Sequence, residues 1–333
     1  MDVLRLCAEA KLVKVGLVAL DGTKIKANAA LAANRTHAHL AEEVKKMLDE
    51  AESVDKKEDA LYGKANRDDE LPEALRSRKS RLARLKECQE RLEREAADKA
   101  AQQARKIAER EAEEKATGKK KRGRKPKKPD PAPGQSKANV TDPRSRIMKT
   151  RKGYEQAYNA QAATTEEQII VVAEVTQDEN DQKQYHPMIK QAAANLEAVG
   201  VKKKIGAALA DAGYWSKATM AAIAPNGPEP FIATTKDWKQ RKAMRECPAP
   251  RGRIPTKLDI RDRMERKLLT KRGRELYKKR SQTVEPVFGQ IKDARGIDRF
   301  MRRGLSAADS EWKLICATHN LLKLFRSGKS NWN

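Results

Sequence analysis

Apolar positions along the chain follow two periods. Near the N-terminus, Leu17-Val18-Ala19-Leu20 is an unbroken apolar run that ends at Asp21-Gly22, a turn signal, and Thr23 to Ala27 alternates as a returning strand would. From about Thr36 to Thr117 the spacing becomes helical. Leu40, Val44, Met47, Leu48 and Ala51 form one stripe, and Leu75, Leu82, Leu85 and Leu92 a second. Gly63 predicts a stop, Pro72 suits the first turn of the second helix, and Gly118 suits its end. The stripe is narrow and broken, for example by Gln89. It fits two long helices in a protruding, coiled-coil-like hairpin, or else a largely solvated single helix.

Beyond about Asn139 strand and helix signals mix. Tyr158 to Ala163 and Ile169 to Val175 predict an antiparallel pair with its turn at Thr165-Glu166. Pro187 to Val199 predicts a helix ended by Gly200. Ile205 to Ala210 is a buried strand reaching Asp211, Ser216 to Ala224 a short helix, and Phe231 to Thr234 another strand. A basic helical region runs from about Arg261 to Lys292. Ser306, with Asp309 three residues later, predicts the start of a final helix carrying Trp312, Ile315, Leu321, Leu322 and Leu324. The order of elements predicts an α/β fold of the ribonuclease-H-like kind, a mixed sheet flanked by helices and interrupted by the charged helical hairpin. The expected divisions are 1–34 for the first strands, 35–118 for the insertion, 119–138 for a basic Pro-rich linker and 139–333 for the rest of the α/β domain.

Charge narrows the choice of partner. The 333 residues carry a formal net charge of +25, spread through folded segments as well as linkers, which suits a protein that tracks phosphates better than one that binds a small molecule. Aromatics are only 4% of residues, which argues against recognition by base stacking. Lys119 to Lys128 is a basic run followed by Pro129, Pro131 and Pro133. It reads as a plain phosphate-gripping linker through Lys121, Arg122 and Arg124, or as an AT-hook that lays those arginines into a narrow minor groove. Cys7, Cys88, Cys247 and Cys316 are far apart and form no zinc or redox motif, so a reducing cytoplasm is expected. His37 and His39 read as surface residues. No apolar run is long enough to span a membrane, and no signal peptide is evident.

The candidate chemistry rests on three acids. Asp21 and Asp211 each follow an apolar strand, and Glu285 lies in the basic helical stretch. Singly, each has a bland reading: a turn aspartate, a strand-end cap, a surface acid. Together they provide hard oxygen donors, the ligand type that Mg²⁺ takes in two-metal phosphodiester cleavage. Tyr277 and Lys292 lie on the same broad helix face as Glu285, and Arg280 lies toward its other edge. Such a face suits a phosphate backbone held over a metal site. Val284, Phe288 and Ile291 are expected to pack that helix on the sheet, and Pro286 predicts a kink or a restart. Lys24, Lys26, Lys236 and Lys239 line a DNA path or are solvated charges. Trp215 and Trp238 read as core or rim residues.

The segments Val18-Ala-Leu-Asp21-Gly-Thr-Lys-Ile-Lys-Ala-Asn28, Leu209-Ala-Asp211-Ala-Gly-Tyr-Trp215, Thr283-Val-Glu285-Pro-Val-Phe-Gly-Gln-Ile-Lys292 and Glu311 to Lys323 resemble the DDE transposases of bacterial insertion sequences. The resemblance implies that Asp21, Asp211 and Glu285 form a catalytic metal triad for Mg²⁺, with Mn²⁺ as substitute. It implies that Tyr277, Arg280, Glu285 and Lys292 correspond to the family's Tyr-Arg-Glu-Lys signature, although four residues rather than the usual three separate Arg280 from Glu285. The implied partner is double-stranded DNA, at transposon ends and target, bound by a homodimer in the bacterial cytoplasm, with no membrane and no small-molecule substrate. Relatives usually carry an end-binding region before the first catalytic strand. Only about sixteen residues precede it here, so a truncated copy that binds DNA or inhibits a full-length partner is the alternative expectation.

Overall fold

The computed structural model describes residues 1–62, 73–120, 123–150, 153–255 and 257–329. Gly63, Pro72, Lys121 and Arg122 lie outside the described residues, as do the side chains of Ala51, Leu75 and Trp238. The strands are β1 (Leu17–Lys26), β2 (Asn34–Thr36), β3 (Lys137–Asn139), β4 (Arg146–Thr150), β5 (Gly153–Thr165), β6 (Ile170–Thr176), β7 (Ala207–Ala210) and β8 (Glu229–Ile232). The α-helices are α1 (Asp2–Glu9), α2 (His37–Tyr62), α3 (Glu73–Thr117), α4 (Tyr185–Ala198), α5 (Lys217–Ala221), α6 (Trp238–Glu246), α7 (Ile260–Leu269), α8 (Lys271–Gly289) and α9 (Leu305–Arg326). They form two compact units, one of Met1–Asn28 with Ile147–Asn333 and one of Ala29–Arg146.

The first unit is built on a mixed sheet in the order β4-β5-β1-β7-β8, with β6 also paired to β5. Strand β1 runs antiparallel to β5 and parallel to β7, and β7 runs parallel to β8. Alternation along β1 sends Leu17 and Ala19 into a cluster with Leu209, Phe231 and Val284, and sends Val18 and Leu20 into a second with Tyr185, Met188 and Leu196. Helices thus cover both faces, α8 on one and α4 on the other, and the arrangement is ribonuclease-H-like.

The outer side of β6 is closed by side chains rather than by another strand. Asn320 of α9 accepts from Ile170 N and donates to Ile170 O, both at 2.8 Å; Asn195 donates to Val171 O at 2.7 Å, and Asp309 accepts from Val175 N at 2.9 Å. These bonds satisfy groups that would otherwise be buried unpaired or left open to edge pairing.

Several expectations are corrected. Asp21-Gly22 is not a turn, because β1 continues straight to Lys26, held by the register Asp21↔Ala162, Gly22↔Gln161 and Thr23↔Ala160. Helix α9 is capped at Gly304 (φ 89°), and Asp309, expected to cap it, binds β6 instead. Strand β8 begins at Glu229 because its pairing with β7 sets Ala207↔Glu229, and Pro230 is tolerated on this edge strand. Helix α8 neither breaks nor restarts at Pro286. Proline cannot donate to the carbonyl four residues back, that of Gln282, and Gln168 Nε2 donates to that carbonyl at 3.0 Å in its place. A π-helical turn, Gln290–Ala294, follows. Helices α1 and α6 and the short strands β2, β3 and β4 were not legible in the hydrophobic pattern.

In the second unit α2 and α3 pack on each other through Leu40, Leu85, Cys88 and Leu92, with Val44 and Met47 beside them and Ala138 of β3 in the same cluster. Strand β3 pairs antiparallel with β2. Arg91 reaches the Pro143 and Lys137 carbonyls, and Arg146 pairs with Glu95 at 2.8 Å, so the long helix is tied to the returning chain. His37 Nε2 is hydrogen-bonded to Glu93 Oε1 at 2.8 Å, and Gly118 ends α3 in a left-handed conformation (φ 63°).

Candidate active site

Asp21 shares the α8 side of β1 with Leu17 and Ala19, two and four residues before it. Its side chain is 19% exposed. Asp211 follows the last residue of β7, the parallel neighbour of β1. Its Oδ1 accepts from Gly213 N at 2.7 Å, which leaves the other oxygen out of the turn. Burial, assisted by the Asp211 carboxylate, pushes the Asp21 carboxyl up to about 6, against the pull of Arg280. Burial is the larger cause, since the pull of Arg280 on Asp21 exceeds the push of Asp211.

Helix α8 supplies the remaining groups. Arg280, 15% exposed, donates from Nη1 to Asp21 Oδ2 at 3.1 Å and from Nη2 to Glu285 Oε1 at 3.3 Å. Glu285 is 57% exposed and is linked to Asp21 through Arg280. Tyr277 OH donates to Ala210 O at 3.2 Å, which fastens α8 to the end of β7 beside Asp211. Lys292, beyond α8 in the π turn, donates to Thr23 Oγ1 at 3.1 Å and Lys24 O at 3.2 Å, so it lies along β1 two to three residues past Asp21. Val284 and Ile291 are fully buried, and Phe288 stacks on Trp312 with ring centroids 6.3 Å apart; these contacts seat the helix. A pocket of about 480 Å³ opens beside Glu285, with Ala233, Thr234, Leu268, Tyr277 and Arg280 in its wall.

The structure thus brings together Asp21, Asp211, Glu285, Tyr277, Arg280 and Lys292 from positions up to 271 residues apart. Arg124, exposed, belongs to the 29–146 unit, where its carbonyl accepts from Arg110. Lys26 is tied to Glu155 and Asp298, and Lys24 donates to the Glu179 carbonyl at 2.7 Å, so neither is a loose surface charge. Lys236 and Lys239 are exposed, and Trp215 packs at the rim of the α4-side core.

The donor set consists of carboxylates, with no thiolate or imidazole among them, and oxygen donors on β1 and at the end of the neighbouring β7 suit a hard divalent cation. Among the described residues, no three His, Cys, Asp or Glu side chains come close enough to hold a metal ion without rearrangement. Arg280 lies between Asp21 and Glu285, so bringing both onto one ion requires the guanidinium to withdraw.

The sequence reading missed Asp181, Asn159, Gln161 and Tyr214. Asn159 and Gln161 are fully buried polar residues two apart in β5, set between Ala157, Tyr158, Ala160 and Ala162, and that alternation was the available signal. Both donate to Asp181 Oδ1 at 2.7 Å, and Tyr214 OH donates to Gln161 Oε1. Burial, with the Asp181, Asp21 and Asp211 charges, drives the Tyr214 hydroxyl far above its ordinary range, so it remains a donor.

Residues 127–321, more than half of the chain, match the family described as transposase DDE domain. The match includes Asp211, Tyr277, Arg280, Glu285 and Lys292, and starts after Asp21. No curated protein and no solved structure matches the chain.

Proposed function

The chain belongs to the transposase DDE domain family, and from that premise we propose that it cuts DNA at the ends of a bacterial insertion sequence and joins the freed 3′-hydroxyl to target DNA. The family acts on DNA and works with divalent metal ions. Mg²⁺ is the ion proposed for this chain, with Mn²⁺ as substitute. Asp21 and Asp211 are proposed to hold it, with Glu285 as the third acid. The reading is carried by the placement of Asp21 and Asp211 on neighbouring parallel strands, with α8 joined to both strands through Arg280 and Tyr277.

Bound metal supplies an activated water and a counter-charge for the leaving oxygen. The protein's own groups do the rest. Asp21 and Asp211, presented from rigid strands, orient the acidic end of the site. Arg280, freed from Asp21 and Glu285, has the bidentate geometry to grip a phosphate, and Lys292 adds a point charge along β1. The exposed position of Glu285 leaves it room to swing toward Asp21 once Arg280 turns to the DNA. A homodimer on DNA, one protomer per element end, completes the proposal.

The test is Mg²⁺-dependent nicking of supercoiled plasmid by wild type, Asp21→Asn and Asp211→Asn. Each variant is expected to lose more than about 100-fold, beyond what removing an outer partner of a metal ligand costs. Nicking by both variants at the wild-type rate sinks the reading. Strand-transfer products distinguish the transposase from a nuclease that only cuts. A second reading, a DNA-binding derivative that inhibits a full-length partner without turnover, draws support from the Arg280 bridge and the exposure of Glu285. Salt-sensitive DNA binding without nicking in Mg²⁺ or Mn²⁺ selects it.

A further inference from the structure

Two glycines follow the candidate catalytic aspartates: Gly22 directly after Asp21, and Gly213 two residues after Asp211. Neither has a positive φ, so neither is needed for backbone freedom. Each leaves space for side chains packed against it, and the Asp181 carboxylate is among them at both. A Cβ on Gly22 would collide first with Gln161 Nε2 and lie 2.7 Å from Asp181 Oδ1, and a Cβ on Gly213 would lie 2.8 Å from Asp211 Oδ1 and 2.9 Å from Asp181 Oδ2. The Asp181 carboxylate therefore spans β1 and the end of β7, with one oxygen over each glycine. Asp181 Oδ2 and Asp211 Oδ1 both lie within 2.9 Å of the same point.

Asp181 opens a short 3₁₀ turn, Asp181–Lys183, ahead of α4, and it reaches the strands from the face of β1 opposite Asp21. It is gripped by neutral donors. Asn159 Nδ2 and Gln161 Nε2 each reach Oδ1 at 2.7 Å, Tyr214 orients Gln161, and Trp312 Nε1 holds the Gln161 carbonyl at 2.9 Å. Lys24, on that face of β1, donates to the Glu179 carbonyl and is a cation that the Asp181 charge acts on, at longer range than the amides. Asn159 is fully buried, and its Oδ1 accepts no hydrogen bond among the described residues; it lies 2.9 Å from where a Gly22 Cβ would stand. Amides fix the position of a carboxylate without cancelling its charge, so the charge still acts on its neighbours.

We propose that Asp181 is a positioning residue for the Asp21–Asp211 pair. Its carboxylate sets the spacing of the two strand segments that carry them, and its charge strengthens the pull of the site on a divalent cation. The inference rests on the metal-dependent reading above.

The test is Mn²⁺ binding to the full chain by titration calorimetry, with thermal melting beside it. Asp181→Asn keeps the shape and still accepts from Asn159 and Gln161 through Oδ1, while it removes the charge and turns the second oxygen into a donor. It is expected to bind Mn²⁺ about 10-fold more weakly, as loss of an outer partner does, with the melting temperature unchanged. A residue that only props the β6–α4 connection would leave Mn²⁺ affinity at the wild-type value, and that result overturns the proposal. A second measurement needs no Asp181 variant. Fe²⁺ with ascorbate and peroxide, added to wild type, should cut the backbone near residues 21, 211 and 181. Cuts near 21 and 211 without one near 181 overturn the role of Asp181 and leave the metal site standing. Absence of both Mn²⁺ binding and cuts in wild type overturns the metal reading together with it.

Discussion

His319 shows how one buried side chain couples stability to pH. It is 3% exposed in α9, with Nδ1 2.8 Å from Gln290 Oε1 and Nε2 3.0 Å from the Gln168 carbonyl. Burial lowers its pKa below 6.5, Lys323 and Arg295 add to the effect, and the Gln168 carbonyl opposes it. As pH falls through 6.5 the unfolded chain takes up this proton before the folded one. Its contribution to stability is therefore present above pH 6.5 and is lost as pH falls toward the folded-state value. Comparing melts at pH 7.5 and 5.5, wild type should lose more stability than His319→Gln. An identical loss in both proteins would show that His319 is not the coupled group. Gly213 makes a steric prediction at the same scale. Gly213→Ala drives a methyl against Asp211 Oδ1 and Asp181 Oδ2, so Mg²⁺-dependent nicking should fall at least about 10-fold, the scale set by disturbing a metal ligand's support.

Elements are joined here by side chains that stand in for backbone partners. The Asn320 amide pairs with both backbone groups of Ile170, so Asn320→Leu leaves a buried N–H and C=O unsatisfied. A loss of about 2–4 kcal/mol is expected in urea melts, against under 1 kcal/mol if water replaces the amide. Gln168 is the corresponding node at the β5–β6 turn. It adopts φ 64°, an uncommon conformation for a residue with a side chain, and serves Gln282 O with its amide, His319 with its carbonyl and Lys323 with its Oε1. This turn lets α8 carry Pro286 without breaking, which keeps Arg280 and Glu285 on one continuous helix. Gln168→Ala should speed amide exchange around Pro286 while leaving β5 and β6 protected. Unchanged exchange there would remove the role given to this contact.

At the scale of the whole molecule the governing quantity is charge. A net +25 gives a DNA affinity that falls steeply with salt, with a log–log slope of about −0.9 for each phosphate neutralised. Deleting Lys119 to Lys128, which holds eight of the basic residues, should weaken binding to all duplexes and flatten that slope, as read by fluorescence anisotropy between low and high salt. A loss confined to A·T-rich duplexes would identify the segment as a minor-groove hook instead. No helix among the described residues is long and apolar enough to cross a membrane. The 29–146 unit has its own cluster around Leu40, Leu85, Cys88 and Leu92, and its return strand pairs β3 with β2. It is thus a folded insertion in the α/β chain.

The sequence by itself determined the elements whose signals are local. The β5–β6 pair, helix α4 stopped by Gly200 and strand β7 running into Asp211 all stand where the apolar period and the turn residues put them, because their apolar pattern and stop signals are local even where, as for β7, the pairing strand is distant. The ribonuclease-H-like class followed from their order. What only the tertiary structure decided are the matters settled by partners far away in sequence. Gly22 reads locally as a turn, yet it is the gap that the Gln161 amide and the Asp181 carboxylate fill, and β1 runs on because β5 pairs with it along its length. Asp309 reads as a helix cap, yet Val175 claims it from across the fold. Pro286 reads as a kink or a restart, yet α8 runs on through it and Gln168 supplies the donor that the proline lacks. Arg280 reads as a phosphate ligand, and it is Asp21, 259 residues away, that holds it in the folded chain. Periodicity encodes which face of an element is buried, but the register between distant strands chooses each polar side chain's partner, and that register exists only once the sheet has formed.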